Sequence, residues 1–475
     1  MDLHIDLDRA ASATLPHQIG RAIIEMICNG TLIEGTRLPA SRLLAERLGV
    51  ARLTVVEAYQ WLADQDYVAA RRGSRTVVQN VQPLLANPDD HIHRISRPRQ
   101  LLPATPKDVL IDFRAGRPDL ASFPRKRWAA ALATAARTLP PDSFDYGDPL
   151  GHPPLRRALA AYLQRSRGLN VDPANVVITA GSAQAVDLVL RARPDHREIV
   201  LEHPGHLIVQ QLVANHRVSV RETPVDEDGL RTDLLPQDAT TPRVVLVTPS
   251  HQFPTGCRMS LARRRELISW ASRTGALIIE DDYDSEFAYD GRPPVPLAKL
   301  DRAQHVVYMG TFSKTLAPAL RLGFMVVPDP MIEAITALKI WVDYGGGALP
   351  QEAMAQWIES GIFERHLQRM RPIYQGRYDV LTRELTGRLG DRVRFAAARV
   401  GMHLMIFVRS PMDTVELTRR TRARGVVIYP LPFESATQAP DEIAIVLGFG
   451  NLSEPEIVTG VTVLAETIIG GMGPG

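Results

Sequence analysis

Tyr308-Met-Gly-Thr311-Phe-Ser313-Lys314-Thr-Leu-Ala-Pro-Ala-Leu-Arg321-Leu-Gly-Phe324 sets one lysine among hydroxyls and an arginine at short, fixed spacing. The apolar run from His305 to Met309 reads as a buried strand and Leu322 to Val327 as another, so Lys314 is expected on the connection between them. A lysine becomes a nucleophile only when neutral, and burial lowers its pKa toward neutrality, the condition a Schiff-base lysine needs. Thr311, Ser313 and Arg321 add two hydroxyls and a guanidinium, donors suited to a phosphate dianion. An aldehyde cofactor carrying phosphate fits this set. The alternative is an exposed loop lysine, because a lone Ser-x-x-Lys matches by chance.

Working outward, strands and helices alternate. Asn175 to Thr179 reads as a short strand, with Gly181-Ser182-Ala183-Gln184 opening a helix directly behind it, an arrangement that offers backbone N–H groups to a phosphate. Glu198 to Leu201, Val244 to Thr248, Leu277 to Ile279 and Val306 to Met309 continue the apolar strands, and Ser260 caps a helix that Gly275 stops. Such alternation predicts a mostly parallel sheet with helices on both faces. Loops at the carboxyl ends of its strands are where ligands bind. Two clusters fall there: Ser250-His251-Gln252-Phe253-Pro254-Thr255-Gly256, and Glu280-Asp281-Asp282-Tyr283-Asp284-Ser-Glu286. The acidic run is open to three readings: a metal site, a solvated turn, or a carboxylate and a tyrosine tuning an electron-sink cofactor.

The N-terminal region has its own pattern. Ile19, Ala22, Ile23 and Met26 repeat at helical spacing before Asn29-Gly30, a short helix is expected through Leu48, and Gly49 turns the chain. A second helix from Arg52 to Ala63 buries Val55, Ala58, Tyr59 and Leu62, which leaves Arg52, Leu53, Thr54 and Glu57 near its exposed end. Tyr67 to Val78 alternates like a hairpin tipped by Arg71, Arg72 and Arg75. Helix, helix-turn-helix and basic hairpin follow the order of a winged-helix DNA reader, the other reading being a small helical interaction domain with a solvated basic face. From Gln79 to about Val109 periodicity is lost, and prolines mark a tether. The expected domains are therefore a winged helix-turn-helix over 10–79, a linker over 80–110 and a large α/β body over 111–470.

Composition narrows the classes. At 475 residues the chain exceeds what one core usually serves. Its net charge of +2 gives no whole-chain field for nucleic acid, so any basic patch is local. Cys28 and Cys257 lack metal-ligand spacing, so no metal is expected and a reducing cytosol is the simplest home. No segment is apolar for long enough to span a bilayer, and a cytoplasmic, soluble protein is expected.

Gly35-Thr-Arg-Leu-Pro-Ala-Ser-Arg42-Leu-Leu-Ala-Glu-Arg-Leu-Gly-Val-Ala-Arg52-Leu-Thr54-Val, followed by Gly73-Ser-Arg-Thr-Val-Val, resembles the GntR family of bacterial transcription regulators. By that resemblance Arg42, Arg52 and Thr54 contact DNA, and Arg72 with Gly73 forms the wing tip. Gly181-Ser182, Pro254-Thr-Gly256, Asp281-x-Tyr283, Thr311-x-Ser-Lys314 and Arg321 resemble fold-type I aminotransferases. Joined to the head, the chain is similar to the MocR subfamily, over about residues 16–78 and 111–468. The implied fold is a mostly α winged helix plus an α/β fold-type I body with a small C-terminal α+β subdomain. The resemblance makes Lys314 the Schiff-base lysine of pyridoxal 5′-phosphate, with Asp281 on the pyridine nitrogen and Tyr283 on the 3′-oxygen. Gly181, Ser182, Ala183, Thr311, Ser313 and Arg321 hold the phosphate, and His206 lies against the cofactor's face. Two departures bear on activity. Phe253 stands where aminotransferases carry asparagine, and Val446 aligns with the arginine that clamps the substrate carboxylate. What the resemblance implies is a ligand-responsive, DNA-binding transcriptional regulator, a homodimer reading an operator of two half-sites, in which an amino compound or the cofactor itself acts at Lys314. The alternative is a working aminotransferase with an appended DNA-binding head.

Overall fold

Strands apolar along their whole length cannot leave either face in water. In the computed structural model Arg243–Val247, Leu277–Asp281 and Val306–Thr311 accordingly lie inside one eight-stranded sheet, with Val176–Thr179, covered on both faces, at its edge. The structure describes residues 5, 7, 14–28, 31–32, 35–65, 67–69, 76–79 and 110–470, apart from 217, 242, 290, 292–293, 397–399, 432–438 and 440. The chain divides into two units, residues 1–102 and 103–475.

In the larger unit the sheet runs Val176–Thr179, Gly323–Val326, Val306–Thr311, Leu277–Asp281, Arg243–Val247, Glu198–His203, Ser219–Asp226, Gly229–Leu230. Gly323–Val326 is antiparallel to both neighbours and the last strand is antiparallel to its own; the rest are parallel. Alternate residues serve opposite faces. Ile199, Leu246, Ile279 and Met309 pack with Ala185, Val186 and Val189 of the helix Ser182–Ala192. Val200, Val245 and Ile278 pack with Leu267 and Trp270 of the helix Leu261–Thr274. Each such side chain contributes roughly 1.5–3 kcal/mol of burial. Ser260 Oγ accepts from Arg263 N at the start of that helix, and Gly275 ends it at φ 69°, as its sequence implies.

A smaller antiparallel sheet, Val393–Phe395, His403–Arg409, Glu442–Gly448 and Tyr429–Pro430, is followed by the helix Glu454–Gly470, which packs along the 28-residue helix Ile362–Leu389. Ile111–Asp112 pairs with Val426–Val427, so the body's first strand is completed near its end.

In the smaller unit the helices Leu15–Cys28, Ser41–Leu48 and Arg52–Asp64 precede a two-stranded ribbon pairing Val68–Ala69 with Val77–Val78. Ile19, Ile23, Leu44, Val55, Ala58, Tyr59 and Leu62 form its core. Gly49 turns between the second and third helices at φ 64°. Asn29-Gly30, the tether and the arginine-rich tip with Arg72 and Gly73 lie outside the described residues.

Candidate cofactor and effector site

The carboxyl ends of three parallel strands line up across the large sheet. Met309 pairs with Asp281, Thr311 with Gly323, and Gly323 with Thr179, which brings the Lys314, Asp281 and Gly181 segments to one edge. Lys314 stands in a single helical turn, Phe312–Thr315, rather than in an open loop; Thr311 Oγ1 caps that turn by accepting from Ser313 N at 3.1 Å. The turn aims Lys314 Nζ inward, where it donates to the Gly116 carbonyl at 2.9 Å. Burial lowers its pKa, against the pull of Asp284 and Asp281. A Cβ at residue 116, whose φ is 77°, would stand 2.7 Å from Nζ, so glycine there leaves the amine its room.

The acidic run is not a solvated turn. Glu280 is wholly buried and accepts from the Leu297 and Ala298 N–H groups. Asp282 pairs with Arg167 at 2.9 Å and accepts from the Tyr308 hydroxyl at 2.6 Å. Asp284 lies 2.9 Å from His251 Nδ1, and Glu286 accepts from Tyr162 at 3.3 Å. Asp281 has no such bond or ion pair among the described residues, and its Oδ1 is enclosed without a partner. Burial pushes its carboxyl up to about 7, Asp282 adding to the rise and Lys314 opposing it. An enclosed acceptor lacking a donor is the group a protonated ring nitrogen would satisfy.

Tyr283 lies beside it, its hydroxyl 3.2 Å from His251 Nδ1, and burial with Asp284 and Asp281 nearby holds the phenol protonated, hence a donor. His251 stacks on His403 at 4.5 Å, and His403 Nε2 meets the Pro254 carbonyl at 3.2 Å. His251, Asp284 and His403 are the one trio among the described residues whose ligand atoms gather within 4.8 Å. The 2.9 Å contact between His251 and Asp284 is that of a hydrogen bond. His206, whose pKa burial and Lys314 lower to about 4, is a neutral ring 4.8 Å from the ring of Phe253.

A third group forms a cradle. Gly181, at φ 123°, precedes the helix Ser182–Ala192, whose first N–H groups, including those of Ser182 and Ala183, have no intrahelical acceptor. A Cβ on Gly181 would sit 3.2 Å from the Arg321 guanidinium, which therefore lies against the helix start. Thr311, which lies across Gly323 from Thr179, and half-buried Ser313 stand at the same sheet edge as exposed Arg321. Donors, helix start and guanidinium together suit a phosphate dianion, and the enclosed Asp281 suits a ring nitrogen. The residues present fit pyridoxal 5′-phosphate, the cofactor of this class of body.

Sequence reasoning missed the Gly116 carbonyl and His403, which stand far from Lys314 and His251 along the chain. It also missed Glu202, which accepts from Thr248 at 2.6 Å and from Gln252, tying the His206 loop to the Phe253 loop. In the head, Arg42 and Arg52 are exposed and Thr54 is half-buried; Arg52 Nε reaches Ser41 Oγ at 3.4 Å. Among the described residues no helix is long and apolar enough to cross a membrane.

Residues 15–78 match the model of bacterial regulatory proteins of the gntR family, and residues 108–440 that of aminotransferase class I and II. The probable rhizopine catabolism regulatory protein MocR of Rhizobium meliloti is 33% identical over 98% of this chain and 95% of its own. The HTH-type pyridoxine biosynthesis transcriptional regulator PdxR of Corynebacterium glutamicum is 32% identical over 95% and 96%. Among solved structures, Pyrococcus horikoshii kynurenine aminotransferase superposes with a TM-score of 0.69 at 26% identity, covering 78% of this chain and 93% of that one.

Proposed function

Because the chain belongs to the MocR subfamily of the GntR family, a DNA-binding regulator head joined to an aminotransferase class I and II body, we propose that an amino compound acting at Lys314 controls how this transcriptional regulator binds its operator. Pyridoxal 5′-phosphate supplies an electrophilic carbon and an electron-withdrawing ring. The chain's own groups do the rest. Lys314 Nζ offers the amine, Asp281 the negative charge for the ring nitrogen, Tyr283 a donor to the 3′-oxygen, and Arg321 with Thr311, Ser313, Gly181, Ser182 and Ala183 the phosphate grip. His206 lies against the ring face.

The observation that carries the sensor reading is the surroundings of Val446. It is buried, sits between Met405 and Tyr429 in the small sheet, and packs with Phe407 and Ala115. An apolar side chain in such company cannot form the bidentate bond that a guanidinium makes with a carboxylate. A site that keeps its amine chemistry and lacks this clamp suits recognition better than turnover of ordinary amino acids. The effector is then an amine without an α-carboxylate, an acid held by another group such as His251 or Arg258, or the cofactor itself.

A homodimer is proposed with it, since paired heads would read two half-sites a whole number of helical turns apart. Arg42, Arg52 and Thr54, with Arg72 and Gly73 at the wing, are the proposed DNA contacts. The effector acts only through unequal affinity for two arrangements of the protein.

The test is the visible spectrum of the cofactor-loaded protein titrated with amino acids, diamines, sulfonates and simple amines, with operator binding followed in parallel. A lasting shift for one compound that changes operator affinity and yields no keto product supports the proposal. Release of a keto product at steady turnover favours the enzyme, and a loaded protein that no amine shifts favours a sensor of cofactor supply.

A further inference from the structure

A cavity of about 360 Å³ in the body is lined by Pro124, Arg127, Ile362, Arg365, His366 and Arg369, none of them assigned above. Two helices begin there, Arg125–Thr138 behind Pro124 and Ile362–Leu389, and neither start has a side-chain cap. Their first N–H groups have no intrahelical acceptor, and the positive ends of both dipoles meet at the cavity. Carboxylates are the favoured neighbours of such ends and cations the unfavourable ones. This chain places Arg125, Lys126 and Arg127 in the first turn of one helix, and Arg365, with Arg369 one turn further on, along the start of the other.

Among the described residues Arg127, Arg365 and Arg369 have no carboxylate partner: Arg365 and Arg369 donate to the carbonyls of Ser360 at 3.0 Å and Ser122 at 2.9 Å. The acid of the same turn, Glu364, is taken by Arg165 at 2.7 Å. His366, 8% exposed, donates from Nε2 to the Thr315 carbonyl at 3.0 Å and keeps Nδ1 without a partner among the described residues. Thr315 follows Lys314 in the same helical turn.

We propose that this cavity is a second ligand site, for a small phosphate-bearing anion, and that His366 and Thr315 link its occupancy to the Lys314 site. Three guanidiniums arriving from two helices, beside two helix starts without a side-chain cap, match a tetrahedral anion with several oxygens; a planar carboxylate is satisfied by one fork. The volume lies in the range of small-ligand pockets, so an organic phosphate fits as well as the inorganic ion.

The probes are inorganic phosphate and glycerol 3-phosphate, titrated calorimetrically at constant ionic strength into the full chain loaded with cofactor and free of DNA. One saturable site per chain is expected, with affinity falling at least ~10-fold in Arg127→Ala/Arg369→Ala, since each lost charge-assisted bond weakens binding by that order. Both arginines are exposed, and with the Arg369 bond to the Ser122 carbonyl lost the variant's melting temperature is expected to fall by only a few degrees. Phosphate is also expected to shift the pH midpoint of the cofactor's visible band, and His366→Ala to abolish that shift while the band itself remains. No saturation at tens of millimolar, equal binding by the double variant, or tighter binding of malonate overturns the site. Binding with an unmoved band overturns the link. Variants that lose operator affinity and flatten its salt dependence, from a parent that never bound phosphate, assign the arginines to the DNA backbone instead.

Discussion

Replacing Asp281 by Asn is expected to stabilise the cofactor-free body while weakening its hold on pyridoxal phosphate. Burial pushes the Asp281 carboxyl from 3.8 to about 7. In the unfolded chain the group ionises near 3.8; in the folded one it resists until about 7, so the folded state holds the proton over that window. Stability is therefore fully present below about pH 4 and is lost as the pH rises through 7. The three-unit gap, at 1.36 kcal/mol per unit, is about 4 kcal/mol at pH 8. An asparagine escapes this cost but buries an N–H with no acceptor beside it, at ~1–3 kcal/mol, leaving a net gain on the order of 1–3 kcal/mol. Between pH 5.5 and pH 8 the variant's advantage should widen by about 2 kcal/mol. Against this, the loss of a charge-assisted bond to the ring nitrogen should weaken the cofactor ~10- to 100-fold. Urea unfolding followed by tryptophan fluorescence at the two pH values, with spectral titration of pyridoxal phosphate, measures both. An advantage that stays flat with pH refutes the buried charge, and unchanged cofactor affinity refutes the role given to Asp281.

Gly181→Ala should cost ~1–3 kcal/mol through its φ of 123° and press a methyl toward the Arg321 guanidinium; lower cofactor affinity together with a lower melting point checks it. Asp282→Ala strands the buried Arg167 guanidinium and removes the acceptor of Tyr308, so the body should lose roughly 3–5 kcal/mol in thermal or urea unfolding. Arg52→Ala, on an exposed helix end, should leave melting unchanged and weaken operator binding by about 1–3 kcal/mol, read by fluorescence anisotropy. Equal binding by that variant removes Arg52 from the DNA-reading face.

What was legible in the sequence was local chemistry. Ser260 and Gly275 bracket a helix because a hydroxyl caps one end and a left-handed residue closes the other, and both signals lie within the helix's own neighbourhood. The order Gly181, Asp281, Lys314, Arg321 was legible for a related reason, since parallel strands deliver successive carboxyl ends to one edge and the strand after Arg321 starts from that edge. The division of labour among the five acids from Glu280 to Glu286 was not. It depends on Arg167, Leu297, His251 and Tyr162, partners brought in by other strands and helices, and a sequence window sees only a charged turn. The partner of Lys314 Nζ lies 198 residues away, in a segment that reads simply as turn-rich. The cavity at Arg127 and Arg369 was hidden in the same way, because each helix alone reads as having a solvated basic end.

The two departures from an aminotransferase pattern act on different parts of the site. Phe253 removes an amide donor, and its ring fills the space between His206 and His403 at 4.8 and 5.0 Å. Tyr283 keeps a donor at hand, held by His251, which Asp284 orients in turn. The groups proposed to grip and polarise the cofactor therefore survive the first departure. The second, Val446, lies on the small sheet beside Ala115, the residue before the Gly116 carbonyl that Lys314 holds. It leaves the amine intact and alters the group presented to whatever approaches it. Under the proposed function this separation is what a sensor requires: amine chemistry retained at Lys314, and selectivity moved from a carboxylate clamp to the surroundings of Val446, Tyr429 and Met405. Val446→Arg is then the substitution expected to increase the response to ordinary amino acids, and a variant whose spectrum ignores them as before would place the effector's recognition elsewhere in the body.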